Sequence, residues 1–285
     1  MNPLLADCAV DDAGALTVQV YYEGPGAPAL PPGGTLLLVP RKPREPGDRL
    51  RFPLRPAGRD LAGRPLFAGT RVAAEVPAAA TGLYEGRWDA HAAFDGAGPR
   101  RLDGRGLLDT RRLIRSTATT PLHVLLPYRT AHDHLTVRVW TRRRHAEAGA
   151  VHLGADGRLA VDARLLGDVP TDAPPRLEAR CRGRRELVHT VPGAWREGGA
   201  PDCRFTLPTP ALAESAADAV WDLYVRTGGA DAPAARLGRL LDDVHDKRRV
   251  FALPSAPVPG TAAVAEPYYT VANDLSVKLR PATAA

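Results

Sequence analysis

The chain repeats itself. Leu16-Thr17-Val18-Gln19-Val20, reached through Asp12-Ala13-Gly14, matches Leu159-Ala160-Val161-Asp162-Ala163, reached through Asp156-Gly157, at an offset of 143 residues. Val76-Pro77 then answers Leu207-Pro208, Trp88-Asp89 answers Trp221-Asp222, and Arg101-Leu102 answers Arg236-Leu237, at offsets of 131, 133 and 135. Arg111-Arg112 pairs with Arg248-Arg249, and Pro127-Tyr128-Arg129-Thr130 with Pro267-Tyr268-Tyr269-Thr270, at 137 and 140. The order never breaks. Offsets that drift by a few residues are what loop insertions between fixed strands produce, so this is a duplicated domain rather than a solenoid of short units. In a chain of 285 residues each half has room for its own core. Two domains are expected, residues 1–145 and 146–285, with the seam inside Arg142–Gly149.

Within each copy, alternation dominates. Leu16, Val18 and Val20 alternate with Thr17, Gln19 and Tyr21, and Leu135, Val137 and Val139 with Thr136, Arg138 and Trp140, the pattern of half-buried strands. The 28 prolines and 27 glycines leave little room for helices. The pattern predicts seven strands per copy, near 15–22, 35–41, 49–54, 70–76, 84–94, 122–126 and 133–141, then near 158–165, 176–182, 185–190, 202–207, 219–227, 248–253 and 273–280. One short helix is predicted over Pro210–Ala217, with Thr209 as its N-cap. The fold class that follows is all-β: two tandem antiparallel β-sandwiches of immunoglobulin-like type, although the usual Cys, Trp, Cys spacing is absent.

Several function classes drop away. No apolar run approaches the roughly 20 residues that cross a bilayer as a helix, and the first residues carry neither a basic region nor a long apolar one, so the expected location is the cytoplasm. Cys8, Cys181 and Cys203 are too few and too scattered for a disulfide framework or a zinc knuckle, and read as reduced structural thiols. The net charge of +6 is carried almost wholly by arginine, since only Lys42, Lys247 and Lys278 are lysines. GC-rich codon usage favours Arg over Lys, so this charge is weak support for a nucleic-acid partner.

No residue pattern spells out a reaction, and no catalytic residue is nominated. The repeated Trp88-Asp89 and Trp221-Asp222 read as a core anchor beside an Arg-paired carboxylate, with an exposed sugar-stacking indole as the competing reading. The Arg-rich connections hold the candidate ligand-binding residues: Arg101, Arg105, Arg111 and Arg112 in the first copy, and Arg236, Arg239, Arg248 and Arg249 in the second. Arginine suits bidentate contact with phosphate or carboxylate, but acidic residues interleave throughout, and internal Arg–Asp pairing is the expected main role. His132-Asp133-His134 puts two imidazoles on one segment, yet the second copy has Ala272-Asn273-Asp274 there, so no metal site is assigned. No phosphate-cradling loop or nucleophile elbow is present, and no cofactor is expected.

The stretch Arg239–Phe251, followed by Pro267-Tyr268-Tyr269-Thr270-Val271-Ala272-Asn273-Asp274-Leu275-Ser276-Val277, resembles the non-catalytic β-sandwich region appended to actinobacterial glycosyltransferases and glycerophosphotransferases of the teichoic-acid type. The resemblance implies an accessory role in making or decorating a cell-surface glycopolymer. It does not carry over a transferase activity, because the nucleotide-binding domain of those enzymes has no room here. The expected function is therefore a non-catalytic module that binds a glycan or glycopolymer or docks a separately encoded transferase. The alternative is a transferase-class enzyme with a site in the cleft between domains.

Overall fold

The computed structural model describes residues 2–24, 26–115, 120–229 and 231–282. Its regular structure is almost entirely β. The first copy contains β1 (Leu4–Val10), β2 (Leu16–Tyr22), β3 (Gly34–Pro40), β4 (Leu50–Pro56), β5 (Val72–Val76), β6 (Gly86–Ala93), β7 (Arg100–Arg101), β8 (Leu108–Asp109), β9 (Leu122–Arg129) and β10 (Leu135–Arg142). The second contains β11 (Arg144–Leu153), β12 (Arg158–Gly167), β13 (Arg176–Cys181), β14 (Val188–Trp195), β15 (Asp202–Pro208), α1 (Thr209–Ser215), β16 (Ala219–Arg226), β17 (Ala235–Gly238), β18 (Ala256–Pro257), β19 (Ala263–Tyr269) and β20 (Leu275–Pro281). The chain divides into two compact units. His123–Thr141 and Leu241–His245 belong with β1–β8, while Arg142–Leu240 and the residues from Asp246 onward form the other unit.

The duplication holds at the level of pairing. The first sheet runs β8-β1-β2-β5-β4-β3-β6-β10-β9, with β7 beside β6. The second runs β13-β14-β15-β12-β11-β17-β16-β20-β19-β18. With β11 to β16 standing for β1 to β6, and β19 and β20 for β9 and β10, the two orders coincide once β13 is paired with β16 as β3 is with β6. An additional pairing of β13 with β16 closes seven strands of the second sheet into a ring, which makes it barrel-like. The expectation of purely antiparallel pairing fails in both copies: β1 pairs β8, and β11 pairs β17, in parallel.

Registers agree as well. Trp88 lies across from Val137 on β10 and from Pro40 on β3, and Trp221 lies across from Val277 on β20 and from Cys181 on β13. Both indoles are fully buried, with Ala90 and Ala92, or Leu223 and Val225, on the same face. The tryptophans are therefore core anchors, and sugar stacking on them is excluded. Trp88 Nε1 donates to the Tyr84 carbonyl at 3.0 Å, whereas Trp221 Nε1 has no acceptor among the described residues.

Several predicted elements move. Residues 142–149, expected as a connecting segment, are strand on both sides of Arg143, and the expected seam at 145/146 falls inside β11. β1 shows no alternation, because Leu4-Leu5-Ala6-Asp7-Cys8 is buried throughout rather than on one face. The strand expected at 185–190 begins at Val188 instead, after a turn in which Gly183 adopts φ +84° and the Leu187 N–H bonds the Arg184 carbonyl. Residues 248–253 are not a strand: a 3-10 turn at Lys247–Arg249 opens into irregular chain. The counterpart of β9 is β19, at the same offset of 140 as the Pro-Tyr motif. Thr209 does not cap α1. It is the first helical residue, and its hydroxyl donates to the Gly157 carbonyl at 2.9 Å.

Candidate functional site

Asp89 and Asp222 build the same charged cluster in each unit. On β6, the Asp89 carboxylate accepts from Arg41 Nε at 2.9 Å and from Thr136 Oγ1 at 2.8 Å, with Arg101 Nη2 also 2.8 Å away. On β16, Asp222 accepts from Arg182 Nη2 at 2.6 Å, Arg236 Nη2 at 2.9 Å and Ser276 Oγ at 2.8 Å. The hydroxyls are placed by the ladder, since Thr136 sits directly across from Asp89 and Ser276 from Asp222. Burial alone would raise the Asp222 carboxyl. The hydrogen bond from Arg182, the charge of Arg236 and the hydrogen bond from Ser276 outweigh it and hold the group below the usual aspartate value. A carboxylate saturated in this way is a strand tie, not a general base.

A second duplicated tie involves residues that the sequence reading did not single out. Asp7 on β1 accepts from the Leu107 N–H at 2.8 Å, and Glu147 on β11 from the Leu240 N–H at 2.8 Å. Each carboxylate thus holds the connection that follows the Arg-Leu motif. The offset of 140 that relates Tyr128 to Tyr268 also relates Asp7 to Glu147, so the signal was present, disguised by the change of side chain.

The hairpin turns repeat too. Thr130 Oγ1 accepts from the His132 and His134 N–H groups, and Thr270 Oγ1 from those of Ala272 and Asp274. Asp133 and Asn273 take φ of 59° and 62°, a left-handed conformation that Asp and Asn tolerate better than most residues. His132-Asp133-His134 is thus a turn. No group of three or more metal-ligating side chains occurs among the described residues.

Arg111 and Arg112 line one pocket together with Asp109 and Ile114, and most of the candidate arginines take separate carboxylate partners. Arg101 and Arg236 join the two aspartate clusters at equivalent positions. Arg105 pairs with Asp103 at 2.8 Å, Arg111 with Asp109 at 2.6 Å, Arg112 with Asp12, and Arg248 with Asp246 at 2.6 Å. Arg111 hydrogen bonding drives the Asp109 carboxyl down to about 2. The Arg239 guanidinium lies 5.2 Å from the Phe251 ring centre. Arg249 is exposed and has no ion-pair partner among the described residues. The three cysteines are all buried and free; burial pushes the Cys8 thiol far up and Cys203 up to about 12.

The second unit carries one further arginine-rich groove, of about 530 Å³, on the face shared by β13 and β16. Arg180, Arg182, Arg185 and Arg226 line it together with Glu178, Asp222 and Tyr224. The sequence reading nominated none of these arginines, because their convergence depends on cross-strand register.

No family model matches the chain, and no curated protein matches it. Among solved structures it is similar to the crystal structure of S. aureus TarS, with a TM-score of 0.32 and 9% identity, over 71% of this chain and 34% of that one. The chain thus spans about a third of that protein's length, and a likeness this loose carries no argument about fold or chemistry. No helix among the described residues is long and apolar enough to cross a membrane.

Proposed function

We propose that the chain is a non-catalytic interaction module, a tandem of immunoglobulin-like sandwiches that binds a glycan or glycopolymer, or docks a separately encoded transferase, in the synthesis of a cell-surface polymer. The observation that carries this reading is how the duplicated charged residues are used. Asp89, Asp222, Asp7 and Glu147 are all engaged in tying strands or connections together, so the duplication preserves a scaffold. The immunoglobulin-like assignment is supported by strand order. The run β1-β2-β5-β4 beside β3-β6-β7 matches the two layers of that fold, as does its counterpart in the second copy.

The test is an array of glycans and surface glycopolymers probed with the purified chain, alongside co-purification with defined surface-polymer transferases. Retention of a sugar polymer, or a stoichiometric complex with one such transferase, is expected. Retention of neither, or turnover of a nucleotide-activated donor by the chain alone, contradicts the proposal.

A further inference from the structure

Each copy is an internal control for the other. What both carry is what this fold uses; an energetically costly feature present in one copy alone has another explanation. The β13/β16 face is such a feature. Glu178 lies across from Tyr224 and Arg180 across from Asp222, and Arg226 ends the same face of β16. At the matching positions of β3 and β6 the first copy has Leu37 across from His91, Val39 across from Asp89, and Ala93. The shared aspartate cluster therefore folds without Glu178, Arg180, Tyr224 or Arg226.

The additions are costly and well organised. Glu178 is only 7% exposed. Arg180 donates to its Oε2 from Nη2 at 2.6 Å and Nε at 3.0 Å, and Arg226 bonds both of its oxygens. The Arg180 guanidinium also sits 4.2 Å, and that of Arg236 4.8 Å, from the Tyr224 ring centre. The four guanidinium groups lining the groove outnumber its two carboxylates. The excess lies at the rim: Arg182 is half exposed, and exposed Arg185 has no ion-pair partner among the described residues.

We propose that this groove binds the phosphate group of an anionic chain. A guanidinium fork matches a phosphate in shape and in donor count. Glu178 and Asp222 hold Arg180, Arg226 and Arg182 in place, so little side-chain freedom remains to be lost on binding. The ligand is a phosphate-bearing polymer other than a nucleic acid, because base recognition on a single strand uses open aromatic faces and the Tyr224 ring is already covered by two guanidinium groups. The assignment deepens the module reading above by giving the ligand a charge and a place.

The test is titration of the full chain with inorganic phosphate at constant ionic strength, chloride making up the balance, followed through the arginine Nε–H resonances by NMR. Saturable shifts centred on Arg182 and Arg185 are expected. Arg185→Ala should weaken binding about tenfold, Glu178→Gln should weaken it severalfold by loosening Arg180 and Arg226, and Arg164→Ala, an exposed residue of β12, should change nothing. If Glu178→Gln does not fold, the exposed Arg185 variant still decides the matter. No saturable response, or equal losses in the Arg185 and Arg164 variants, overturns the site. So does a single-stranded oligonucleotide that binds through Arg185 more tightly than poly(glycerol phosphate) at the same phosphate content. Phosphate binding without any glycopolymer or transferase partner would sink the module reading and leave the site standing. Binding of an uncharged glycan, indifferent to Arg185, would do the reverse.

Discussion

Replacing Asp222 with Asn isolates the duplicated tie, because shape is kept while the charge is lost. In the native chain its carboxylate receives Arg182, Arg236 and Ser276 within 3.2 Å. Arg182 is half exposed and regains water easily. Arg236, only 11% exposed, would keep the Leu223 carbonyl at 2.7 Å, Ser276 Oγ at 2.9 Å and Asp274 at 3.6 Å. Removing one partner of a well-buried ion pair costs about 3–5 kcal/mol. With one arginine resolvated and the other keeping three acceptors, the expected cost here is about 2–3 kcal/mol. The sign with pH is fixed. The folded carboxyl is held below its ordinary value, so the stabilisation is full above that value and disappears as pH falls through the lower, folded one. Urea unfolding of both proteins at pH 7 and in stepwise acidification measures the gap, and hydrogen exchange should place it on β16, β17 and β20. A gap that is absent at pH 7, or that persists undiminished at pH 2, would refute the reasoning.

Truncating Trp88 or Trp221 to Ala should each cost about 3–5 kcal/mol in denaturant unfolding. The conservative changes should differ: Trp88→Phe strands the Tyr84 carbonyl, whereas Trp221→Phe removes an N–H that has no acceptor among the described residues, so it should be the milder of the two. Cys8 and Cys203 should resist an aromatic disulfide reagent in the native chain and react on unfolding; rapid native labelling would contradict their burial. Deleting the chain from Pro267 onward removes β20, which pairs with both β16 and β19. Light scattering should then report aggregation rather than a clean truncation.

What could be read from the sequence was whatever recurred as a recognisable motif. Trp-Asp marked the core strand of each unit, and Pro-Tyr with its downstream Thr marked the last hairpin. Readings failed where recurrence was disguised. β1 and β11 stand 140 residues apart, but one is nearly all apolar and the other opens with Arg144 and His145, so neither alternates. The same offset, carried back from Pro267, would have put β19 at its observed place rather than at 248–253. Arg41 and Arg182 belong to no repeated sequence motif, and only the three-dimensional cluster shows them to be equivalent. The β13/β16 groove lies further from the sequence still. Glu178, Arg180 and Tyr224 share a face only because β13 and β16 pair in one register, and a slip of one residue would turn Arg180 and Glu178 inward.

The claim of a phosphate-binding module is tested most directly by an equilibrium isotherm of the purified chain with a phosphate-bearing surface glycopolymer, the polymer's mass being recorded before and after. The account predicts saturable binding that leaves the polymer unaltered and weakens in the Arg185→Ala variant. A flat isotherm would contradict it, as would a polymer lengthened, shortened or newly decorated by the chain alone.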